Sequence, residues 1–454
     1  MDRIQLIEKY NVPVPRYTSY PTVPLWQNED LHRVQWMKIV NKAFDETNQK
    51  SGISLYIHLP FCESLCTYCG CNKRITKNHA VEEGYIEALL AEWAIYLQSF
   101  SEKPIIRELH LGGGTPTFFK AENLRWLVES ILADCEIHPQ HDFGFEGHPN
   151  NTKESHLQTL FELGFRRVSF GVQDLDLKVQ QAINRIQPFK NVQIVTDLAR
   201  QIGYTSVNFD LIYGLPFQSL RSIDFTIDKV QRLMPDRIAF YSYAHVPWLK
   251  KSQRGYSETD LPSNETKREL YELGLKKLLE MGYVDMGMDH FALPDDSLCR
   301  AFKRNELHRN FMGYTVSNTE LLLGLGCSAI SDAKYGYMQN EKVVEDYKER
   351  IQLNELAIVK GHIMTEMDLF IRKNIMRLLC DSKVEWSERL QLVLGNRGKE
   401  EYGMMQEEGL VNFAGKNLEI TDKGKAFIRN IAAVMDLRMR EAKPANGPMF
   451  SKAI

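Results

Sequence analysis

Hydrophobic and polar residues in the middle of the chain follow two alternating periodicities. Short runs rich in β-branched and aromatic residues are each followed by a longer segment with the helical spacing of apolar positions. The strand-like runs are 53–59, 104–111, 142–148, 166–173, 206–214 and 237–245. The helical segments are 80–97, 121–135, 153–163, 175–184, 190–202 and 219–233. This alternation predicts an α/β fold in which six parallel strands form a barrel or an open sheet.

The pattern changes on both sides of this region. Residues 10–26, YNVPVPRYTSYPTVPLW, carry prolines and aromatic rings without periodicity, which predicts an extended arm that docks by its rings, either over a site or as a packing strap. After residue 361 the sequence predicts helices, a hairpin at 410–421 and a last helix with Thr421 as its N-cap. We therefore predict an N-terminal arm (1–50), an α/β catalytic domain (51–360) and a mostly helical, winged-helix-like cover domain (361–454).

Composition excludes several classes of function. The 454 residues include 56 Lys and Arg against 59 Asp and Glu, so a net charge of −3 gives no broad electrostatic footprint for nucleic acid or an anionic membrane. The start of the chain lacks an apolar signal core, and no run of about 18 apolar residues follows. We expect a cytoplasmic, monomeric protein that binds neither membranes nor nucleic acid.

Four of the eight cysteines fall within ten residues, in HLPFCESLCTYCGCNK at 58–73. Cys62, Cys66 and Cys69 follow the spacing C-x3-C-x2-C, and Cys71 comes two residues later. Thiolates select iron–sulfur clusters, zinc or copper(I), but structural zinc needs four ligands and no second ligand pair occurs. Three ligands favour a 4Fe–4S cluster with one open iron, whereas a zinc loop or a redox disulfide is the weaker alternative.

Residues that are suited to binding or catalysis follow every predicted strand. In a parallel sheet the carboxyl ends of the strands lie together and often carry the catalytic groups. After the cysteine loop they are Gly112–Thr115, Glu146, Gln173, Asp210 and Tyr243–His245. Three consecutive glycines expose backbone groups that could hold a zwitterion. Each residue alone has a structural explanation as a helix cap or a solvated loop residue, but their shared edge favours one site.

The cysteine loop, with Tyr68 before the third cysteine, resembles that of radical S-adenosylmethionine (SAM) enzymes, and longer motifs narrow the resemblance. These motifs are PRYTSYP (15–21), CESLCTYCGCN (62–72), GGGTPT (112–117), GVQD (171–174), DLIYGLP (210–216), GMDHFA (287–292) and HRNFMGYT (308–315). Over nearly the whole chain they resemble the oxygen-independent coproporphyrinogen III oxidase family. Cys71 matches these oxidases, whereas related heme chaperones usually lack it. The resemblance implies a partial (βα)6 radical SAM barrel.

Two positions depart from the family pattern. His148 stands in EGHP where an acidic residue is expected, and Met312 stands where HRNFQGYT would place Gln. His148 would alter the local charge but leave SAM binding intact. A thioether has no donor and is only a weak acceptor, so Met312 would not supply a polar contact to the substrate.

The resemblance also implies two SAM molecules in one pocket, with Cys62, Cys66 and Cys69 as cluster ligands and Cys71 in a supporting or donor role. Residues near the first SAM would be Tyr56, Gly113, Glu146, Ala244 and Ile330. Residues near the second would be Tyr68, Gly114, Thr115, Gln173, Arg185 and Asp210.

The implied reaction is the oxidative decarboxylation of two propionates of coproporphyrinogen III to vinyls, which a SAM-derived 5'-deoxyadenosyl radical initiates. A reduced flavodoxin- or ferredoxin-like protein would supply the electron. Because the substrate has four carboxylates, cations should line its pocket. The candidates are Arg16, His290, Arg304, His308 and Arg309. The alternatives are a heme-binding chaperone and a radical SAM enzyme of heme breakdown or methyl transfer.

Overall fold

The computed structural model describes residues 3–26, 31–248, 250–442 and 450. The chain divides into two compact units, each built from separate segments. The sheet unit comprises Gln27–Gly282 and Ser317–Ile363, and the helical unit comprises Met1–Trp26, Tyr283–Val316 and Met364–Ile454. These boundaries differ from the three consecutive domains that we predicted, because each unit is formed by segments that are distant in sequence but pack together.

All six predicted strands are present in the sheet unit. They are β1 (Ile53–Leu59), β2 (Ile105–Gly113), β3 (Glu136–Gly147), β4 (Arg167–Gln173), β5 (Ser206–Tyr213) and β6 (Arg237–Ser242). Each pairs in parallel with the next, so their carboxyl ends lie at one edge of the sheet. The α/β prediction with a parallel sheet is therefore confirmed.

The sheet continues beyond β1 with strands that we did not predict. They are β7 (Leu322–Leu325), β8 (Ile330–Asp332), β9 (Gly336–Asn340) and β10 (Ile358–Ile363). β7 pairs with β1 in parallel, whereas the other three follow in antiparallel order. β7, β8 and β9 are short and almost wholly buried, so they lack the period-2 alternation of a half-buried strand. β10 is only partly buried, and its exposed positions do not alternate regularly with buried ones.

Helices cover the sheet, most of them where helical spacing predicts them, although we did not predict Arg33–Ser51, Asn264–Glu280 or Val344–Gln352. They are Arg33–Ser51, Val81–Leu97, Ala121–Leu132, Glu154–Glu162, Leu177–Ala182, Phe189–Ile202, Leu220–Leu233, Asn264–Glu280 and Val344–Gln352. In Ala121–Leu132 the buried residues Leu124, Leu127, Val128 and Ile131 recur at spacings of three and four and form one apolar face. No helix among the described residues is long and apolar enough to cross a bilayer.

Three 3-10 turns and two short strands complete the sheet unit. The turns are Pro116–Phe118, Lys251–Gly255 and Glu258–Asp260, and the strands Phe61–Cys62 and Arg74–Ile75 pair in parallel. This pairing fixes the first cysteine of the loop to the segment that follows the last one.

The helical unit contains helices and small antiparallel sheets. The helices are Arg3–Tyr10, Ser297–Lys303, Glu366–Asp381, Glu388–Glu407, Ile428–Ala433 and Leu437–Glu441, with 3-10 turns at Val23–Leu25 and Gly424–Phe427. Two hairpins pair Val284–Gly287 with His290–Ala292, and His308–Asn310 with Gly313–Thr315. A three-stranded sheet has the order Lys383–Glu385, Asn417–Ile420, Val411–Ala414. The comparison with a winged helix stays a prediction.

The single helix predicted after Thr421 is wrong. Thr421 Oγ1 accepts a hydrogen bond from the Gly424 amide at 3.0 Å, at the start of a 3-10 turn. A new helix starts after Asp436, whose side chain accepts from the Met439 amide at 2.8 Å. The side-chain caps compete with a continuous helix and divide the segment.

The N-terminal arm packs by its aromatic rings, as predicted. Tyr17 and Tyr20 are each 1% exposed and belong to a core with helices of residues 371–435. The Tyr17 hydroxyl donates to Asp436 at 3.1 Å, and Arg429 Nε donates to the Pro15 carbonyl at 3.1 Å. The arm is therefore part of the core of the helical unit.

Candidate functional site

The predicted residues of the sheet unit gather at the carboxyl ends of β1 to β6. Tyr56 lies in β1, Gly113 ends β2, Glu146 is the penultimate residue of β3, and Gln173 ends β4. Asp210 lies in β5, and Ala244 follows β6. Gly113, Glu146, Gln173 and Ala244 agree with the argument from strand ends, whereas Tyr56 and Asp210 lie within their strands.

His58 connects β1 to the cysteine loop, a role that we did not predict from the sequence. Its Nε2 lies 3.0 Å from the Asn72 carbonyl oxygen and its Nδ1 lies 3.1 Å from the Tyr56 hydroxyl. Because a carbonyl only accepts, Nε2 carries the proton, and Nδ1 accepts from Tyr56. Burial lowers the pKa of His58, which keeps the ring neutral at neutral pH. The loop after Cys71 is thereby held to β1.

Glu146 is ionised by its neighbours on β2. Its Oε2 accepts from the Gly113 amide at 3.2 Å, and its Oε1 lies 3.5 Å from His110 Nε2. Burial opposes ionisation, but the hydrogen bond and charge of His110, together with the Gly113 amide, hold the pKa of Glu146 below its usual value. A carboxylate is therefore available at the strand edge for an ammonium or a ribose hydroxyl.

The three glycines at the end of β2 and directly after it have a packing role that the sequence argument missed. A Cβ at Gly112 would lie 2.9 Å from Glu146 Oε1, and one at Gly114 would lie 2.5 Å from the Pro60 carbonyl oxygen. Gly113 has a φ of +114° and donates its amide to Glu146. These residues must lack side chains for the protein's own packing. Their contact with a ligand stays a prediction.

Asp210 is a second carboxyl group, and its pKa is shifted in the opposite direction to that of Glu146. It accepts from Ser169 Oγ at 3.0 Å and from Asn208 Nδ2 at 2.9 Å. Burial and the nearby charge of Glu146 nevertheless raise the pKa of Asp210 to about 6. A cation or a hydroxyl donor between the two groups would favour the ionised form of both.

The cysteine loop is fixed at several points. Cys66 is buried, Cys62 and Cys69 are half-buried, and Cys71 is exposed. Cys62 Sγ lies 3.3 Å from Thr115 Oγ1. A hydrogen bond from Cys71 and then the charge of Lys73 lower the pKa of Cys69.

Arg185 lies beside the second cysteine of the loop. Its Nη1 is 3.5 Å from Cys66 Sγ, and its Nη2 donates to the Gly171 carbonyl at 2.5 Å. Its Nε is buried without a hydrogen-bond partner among the described residues. A Cβ at Gly171 would lie 2.7 Å from Gln173 Nε2 and 2.9 Å from Arg185 Nη2, so both side chains cover this glycine. The guanidinium therefore keeps a donor for a further acceptor.

His148, one of the two departures from the family pattern, does not add a charge. Burial, followed by the charge of Arg185, lowers its pKa to about 3. Its Nδ1 accepts from the Asn150 amide at 3.1 Å, which fits a neutral ring. Compared with an acidic residue, His148 removes a negative charge near Arg185.

Tyr68 and Ala244 are linked by Gln253, another residue that we did not single out. Gln253 Nε2 donates to the Tyr68 carbonyl at 3.1 Å and to the Ala244 carbonyl at 3.2 Å. The Tyr68 ring packs against the cluster of Val179, Ile183, Leu215, Tyr243 and Tyr256. Contacts from one side chain to two distant carbonyls depend on the tertiary fold and leave no sequence pattern.

Ile330 starts β8, and its backbone lies directly against Gly324 of β7. β7 in turn pairs with β1, with Gly324 opposite Tyr56. Ile330 is therefore on the side of β1 away from β2.

His308 and Arg309 lie in the helical unit, in the strand His308–Asn310. His308 is exposed, whereas Arg309 is half-buried, with its guanidinium carbon 4.9 Å from the ring centre of Tyr314. Arg309 Nη2 donates weakly to the Arg16 carbonyl at 3.4 Å, while Nε and Nη1 are buried without a partner in the described part of the chain. Two of the three guanidinium nitrogens of Arg309 therefore lack an acceptor among the described residues.

The other cations proposed for the substrate differ in environment. Arg16 lies 3.9 Å from Asp289, and His290 Nδ1 lies 2.6 Å from the Met288 carbonyl oxygen. Arg304 forms an exposed pair with Glu306 at 3.2 Å, which fits an ordinary surface salt bridge.

The residues at the strand edge fit an iron–sulfur cluster and a zwitterionic ligand by their chemistry. Three cysteines on one loop supply soft thiolates, and the orphan Nε of Arg185 and the Glu146 carboxylate supply opposite charges for a carboxylate and an ammonium. As they stand, no three Cys, His, Asp or Glu side chains among the described residues are grouped closely enough to hold a metal ion. The fit therefore rests on the donor set and on the orphan nitrogen.

Comparison with known proteins identifies this donor set. A family model described as the radical SAM superfamily matches residues 56–230. The structure resembles coproporphyrinogen III oxidase from Escherichia coli, described as a radical SAM enzyme, with a TM-score of 0.86 and 33% identity over 96% of this chain and 98% of that chain. The protein is thus a radical SAM enzyme, a class that uses a 4Fe–4S cluster and SAM.

Relatives define the particular family. An oxygen-independent coproporphyrinogen III oxidase from Synechocystis is 36% identical over 460 residues, covering 99% of this chain and 97% of the relative. One from Helicobacter pylori is 37% identical over 449 residues, covering 95% and 96% of the two chains. The chain belongs to the oxygen-independent coproporphyrinogen III oxidase family. The predicted family, fold class and cofactor class are confirmed.

Proposed function

We propose that this protein converts coproporphyrinogen III to protoporphyrinogen IX without oxygen, in porphyrin and heme biosynthesis. Two propionate side chains each lose carbon dioxide and a hydrogen atom from the β-carbon, which leaves a vinyl group, and one electron passes to an acceptor each time. The near full-length likeness to coproporphyrinogen III oxidases supports this proposal over a heme chaperone. Cys71, which chaperones usually lack, supports it as well.

In this proposal Cys62, Cys66 and Cys69 hold the cluster, and two SAM molecules occupy the strand edge. Tyr56, Gly113, Glu146, Ala244 and Ile330 contact the first SAM, and Tyr68, Gly114, Thr115, Gln173, Arg185 and Asp210 contact the second. When bound, the cluster and SAM supply the radical that abstracts the hydrogen atom. The protein supplies orientation, charge balance and exclusion of water.

The charges of the site support this assignment. Glu146 is ionised through His110 and the Gly113 amide, so it suits an ammonium or a ribose diol. Arg185 holds one donor toward Cys66 and retains an orphan Nε, so it suits a carboxylate. These are opposite charges of the kind that an amino acid moiety requires.

The observation that carries the choice of substrate is the uncompensated guanidinium of Arg309. A half-buried cation with two unpartnered N–H groups is costly unless an anion binds it, and the proposed substrate brings four carboxylates. We assign a substrate carboxylate to Arg309, with His308 beside it, and only packing to Met312. Both Arg309 and His308 are thus proposed catalytic-site residues.

Further partners follow from the reaction. A reduced flavodoxin- or ferredoxin-like protein would donate the electron, and Cys71, exposed next to Cys69, would act as a supporting group or a transient donor. We also propose that the protein works as a cytoplasmic monomer.

Anaerobic assay tests the function. Protein reconstituted with iron and sulfide is given SAM, a reductant and coproporphyrinogen III, and products are identified by mass spectrometry. We expect protoporphyrinogen IX, two carbon dioxide molecules and 5'-deoxyadenosine. Tight stoichiometric heme binding without decarboxylation would favour the chaperone, and a different porphyrin product would favour heme breakdown or methyl transfer.

A further inference from the structure

The segment after β6 returns to the cysteine loop and is anchored there by apolar contacts. Tyr256 is 9% exposed and packs with Val179, Ile183, Leu215 and Tyr243. The position of a Cβ on Gly255 would be 3.8 Å from Thr67 Cγ2, an ordinary contact distance. The turn Lys251–Gly255 therefore lies against the loop between Cys66 and Cys69.

Gln253 is the buried polar residue of this turn. It is 2% exposed, its Oε1 accepts from the Val246 amide at 2.6 Å, and its Nε2 donates to the carbonyls of Tyr68 and Ala244 at 3.1 and 3.2 Å. The amide group thus uses both of its donors and its acceptor. Because two carbonyls can only accept, the position requires a side chain with two donors and one acceptor.

The two carbonyls belong to different elements of the site. Tyr68 lies in the cysteine loop and Ala244 follows β6. Both residues are outside the strands, so the hydrogen bonds between strands do not fix the position of their carbonyls. The apolar cluster around Tyr256 holds the turn near the loop, but apolar contacts are not directional. The Tyr256 hydroxyl also lies 2.5 Å from the Tyr243 hydroxyl, which is a directional contact, but it does not involve the two carbonyls. The Gln253 amide bonds both carbonyls directly and therefore constrains the spacing between them.

We propose that Gln253 is a positioning residue for SAM binding, which sets the spacing between the cysteine loop at Tyr68 and the end of β6 at Ala244. This inference rests on the proposed function, in which these two residues contact different SAM molecules. Gln253 itself does not touch the cofactor. Its loss weakens SAM binding while the three cluster cysteines, which lie at other positions of the loop, still hold iron.

Two variants separate the directional contact from packing. Gln253→Met keeps the length and volume of the side chain but makes none of the three hydrogen bonds. Gln253→Glu keeps the shape, and its carboxylate accepts from Val246 but donates to neither carbonyl. Once protonated, the same carboxyl regains one donor and satisfies one carbonyl.

Asn48 provides a matched control at the opposite end of the sheet. Its Nδ2 donates to Glu102 Oε1 at 2.8 Å and to the Lys103 carbonyl at 2.9 Å, and its Oδ1 accepts from the Ile105 amide at 2.8 Å. It is 1% exposed, lies in the helix Arg33–Ser51 and contacts the start of β2, away from the strand ends that carry the site. Asn48→Leu therefore removes the same set of bonds from a position without a ligand.

The measurement is SAM affinity, by equilibrium dialysis of the reconstituted full-length protein, without porphyrin. For Gln253→Met we expect iron content like the wild type and a SAM dissociation constant at least about tenfold higher, the equivalent of one to two lost hydrogen bonds. For Gln253→Glu we expect similar weakening at pH 8 and partial recovery at pH 6, where Gln253→Met does not recover. For Asn48→Leu we expect a lower unfolding temperature with SAM affinity unchanged.

Either of two results would overturn the proposal. One is a Gln253→Met protein that unfolds at a lower temperature, like Asn48→Leu, but binds SAM normally. The other is equal loss of SAM affinity in Asn48→Leu, which would show that general destabilisation is the cause. Should Gln253→Met not retain folded protein, the ratio of SAM affinities of Gln253→Glu between pH 6 and 8, relative to the wild type, still decides. Failure of porphyrin turnover would affect the proposed function alone, because no porphyrin enters these experiments.

Discussion

Replacing Arg309 by Met should stabilise the substrate-free protein and weaken substrate binding at the same time. The side chain has about the same length, but Met brings no buried charge. In the described residues Arg309 Nε and Nη1 have no partner, and the contact of Nη2 with the Arg16 carbonyl is long, at 3.4 Å. An arginine kept under these conditions is expected where function requires it.

The magnitude follows from these contacts. Two buried donors without partners cost about 1–3 kcal/mol each, whereas the cation–π contact with Tyr314, at 4.9 Å, contributes about 0.5–2 kcal/mol that Met forfeits. After partial relaxation the balance is a gain of about 1–2 kcal/mol in the free energy of unfolding. Losing a charge-assisted hydrogen bond to a carboxylate costs about 1.5–3 kcal/mol of binding, or about 10- to 150-fold in affinity.

Chemical denaturation measures the first effect and anaerobic titration with coproporphyrinogen III measures the second. Arg304→Met is the matched control, because its exposed pair with Glu306 contributes within about 0.5 kcal/mol and should alter neither quantity. Met312→Leu should keep most of the activity, since we assign it only packing. Destabilisation by Arg309→Met with unchanged substrate affinity would refute the reasoning and make the residue structural.

Three further predictions concern the cluster, the SAM site and pH. Alanine at any one proposed cluster ligand should abolish the cluster, whereas Cys71→Ala should keep about four irons per chain, and iron analysis after reconstitution decides. The proposed cluster ligands are Cys62, Cys66 and Cys69. Arg185→Ala and Asp210→Ala should weaken SAM binding in dialysis with normal iron, and normal affinity in both would contradict their placement. Burial raises the pKa of Asp436 to about 6 from an ordinary 3.8, so its contribution to stability is present below about pH 4 and is lost as the pH rises to 6. Asp436→Asn should flatten this decline by about 3 kcal/mol at most in denaturant titrations, and an unchanged slope would contradict it.

Local periodicity was sufficient to predict the six consecutive parallel strands β1 to β6. The apolar spacing of the sequence indicates β1 to β6 and the helices that follow them. The position of Glu146 and Gln173 at the ends of strands follows from topology, whereas Asp210, predicted after a strand, lies within β5. The short strands β7 to β10 lack such spacing, because β7 to β9 are almost wholly buried and β10 shows no regular alternation. A hairpin signal around Lys334–Gly336 was available, but it is weak beside the longer runs.

The connections within the site could not be predicted from the sequence, for a different reason. Gln253 is 185 residues from Tyr68, and His58 acts through the carbonyl of Asn72. Every residue has a backbone carbonyl, so a side chain that bonds to one can have a partner of any residue type. The sequence around the partner therefore shows no motif. The same holds for Arg309, whose missing partners are visible only once its surroundings are known.

The burial of the N-terminal arm has a consequence for synthesis on the ribosome. The aromatic and aliphatic side chains from Leu6 to Tyr20 pack against residues that begin at Ile371, about 350 residues later in the chain. At about 5–20 residues per second, translation leaves these side chains without their native neighbours for about 20–70 s. During this interval the nascent arm exposes apolar surface to solvent or to a chaperone. A polar substitution at Tyr17 or Tyr20 would ease that exposure but would weaken the finished core.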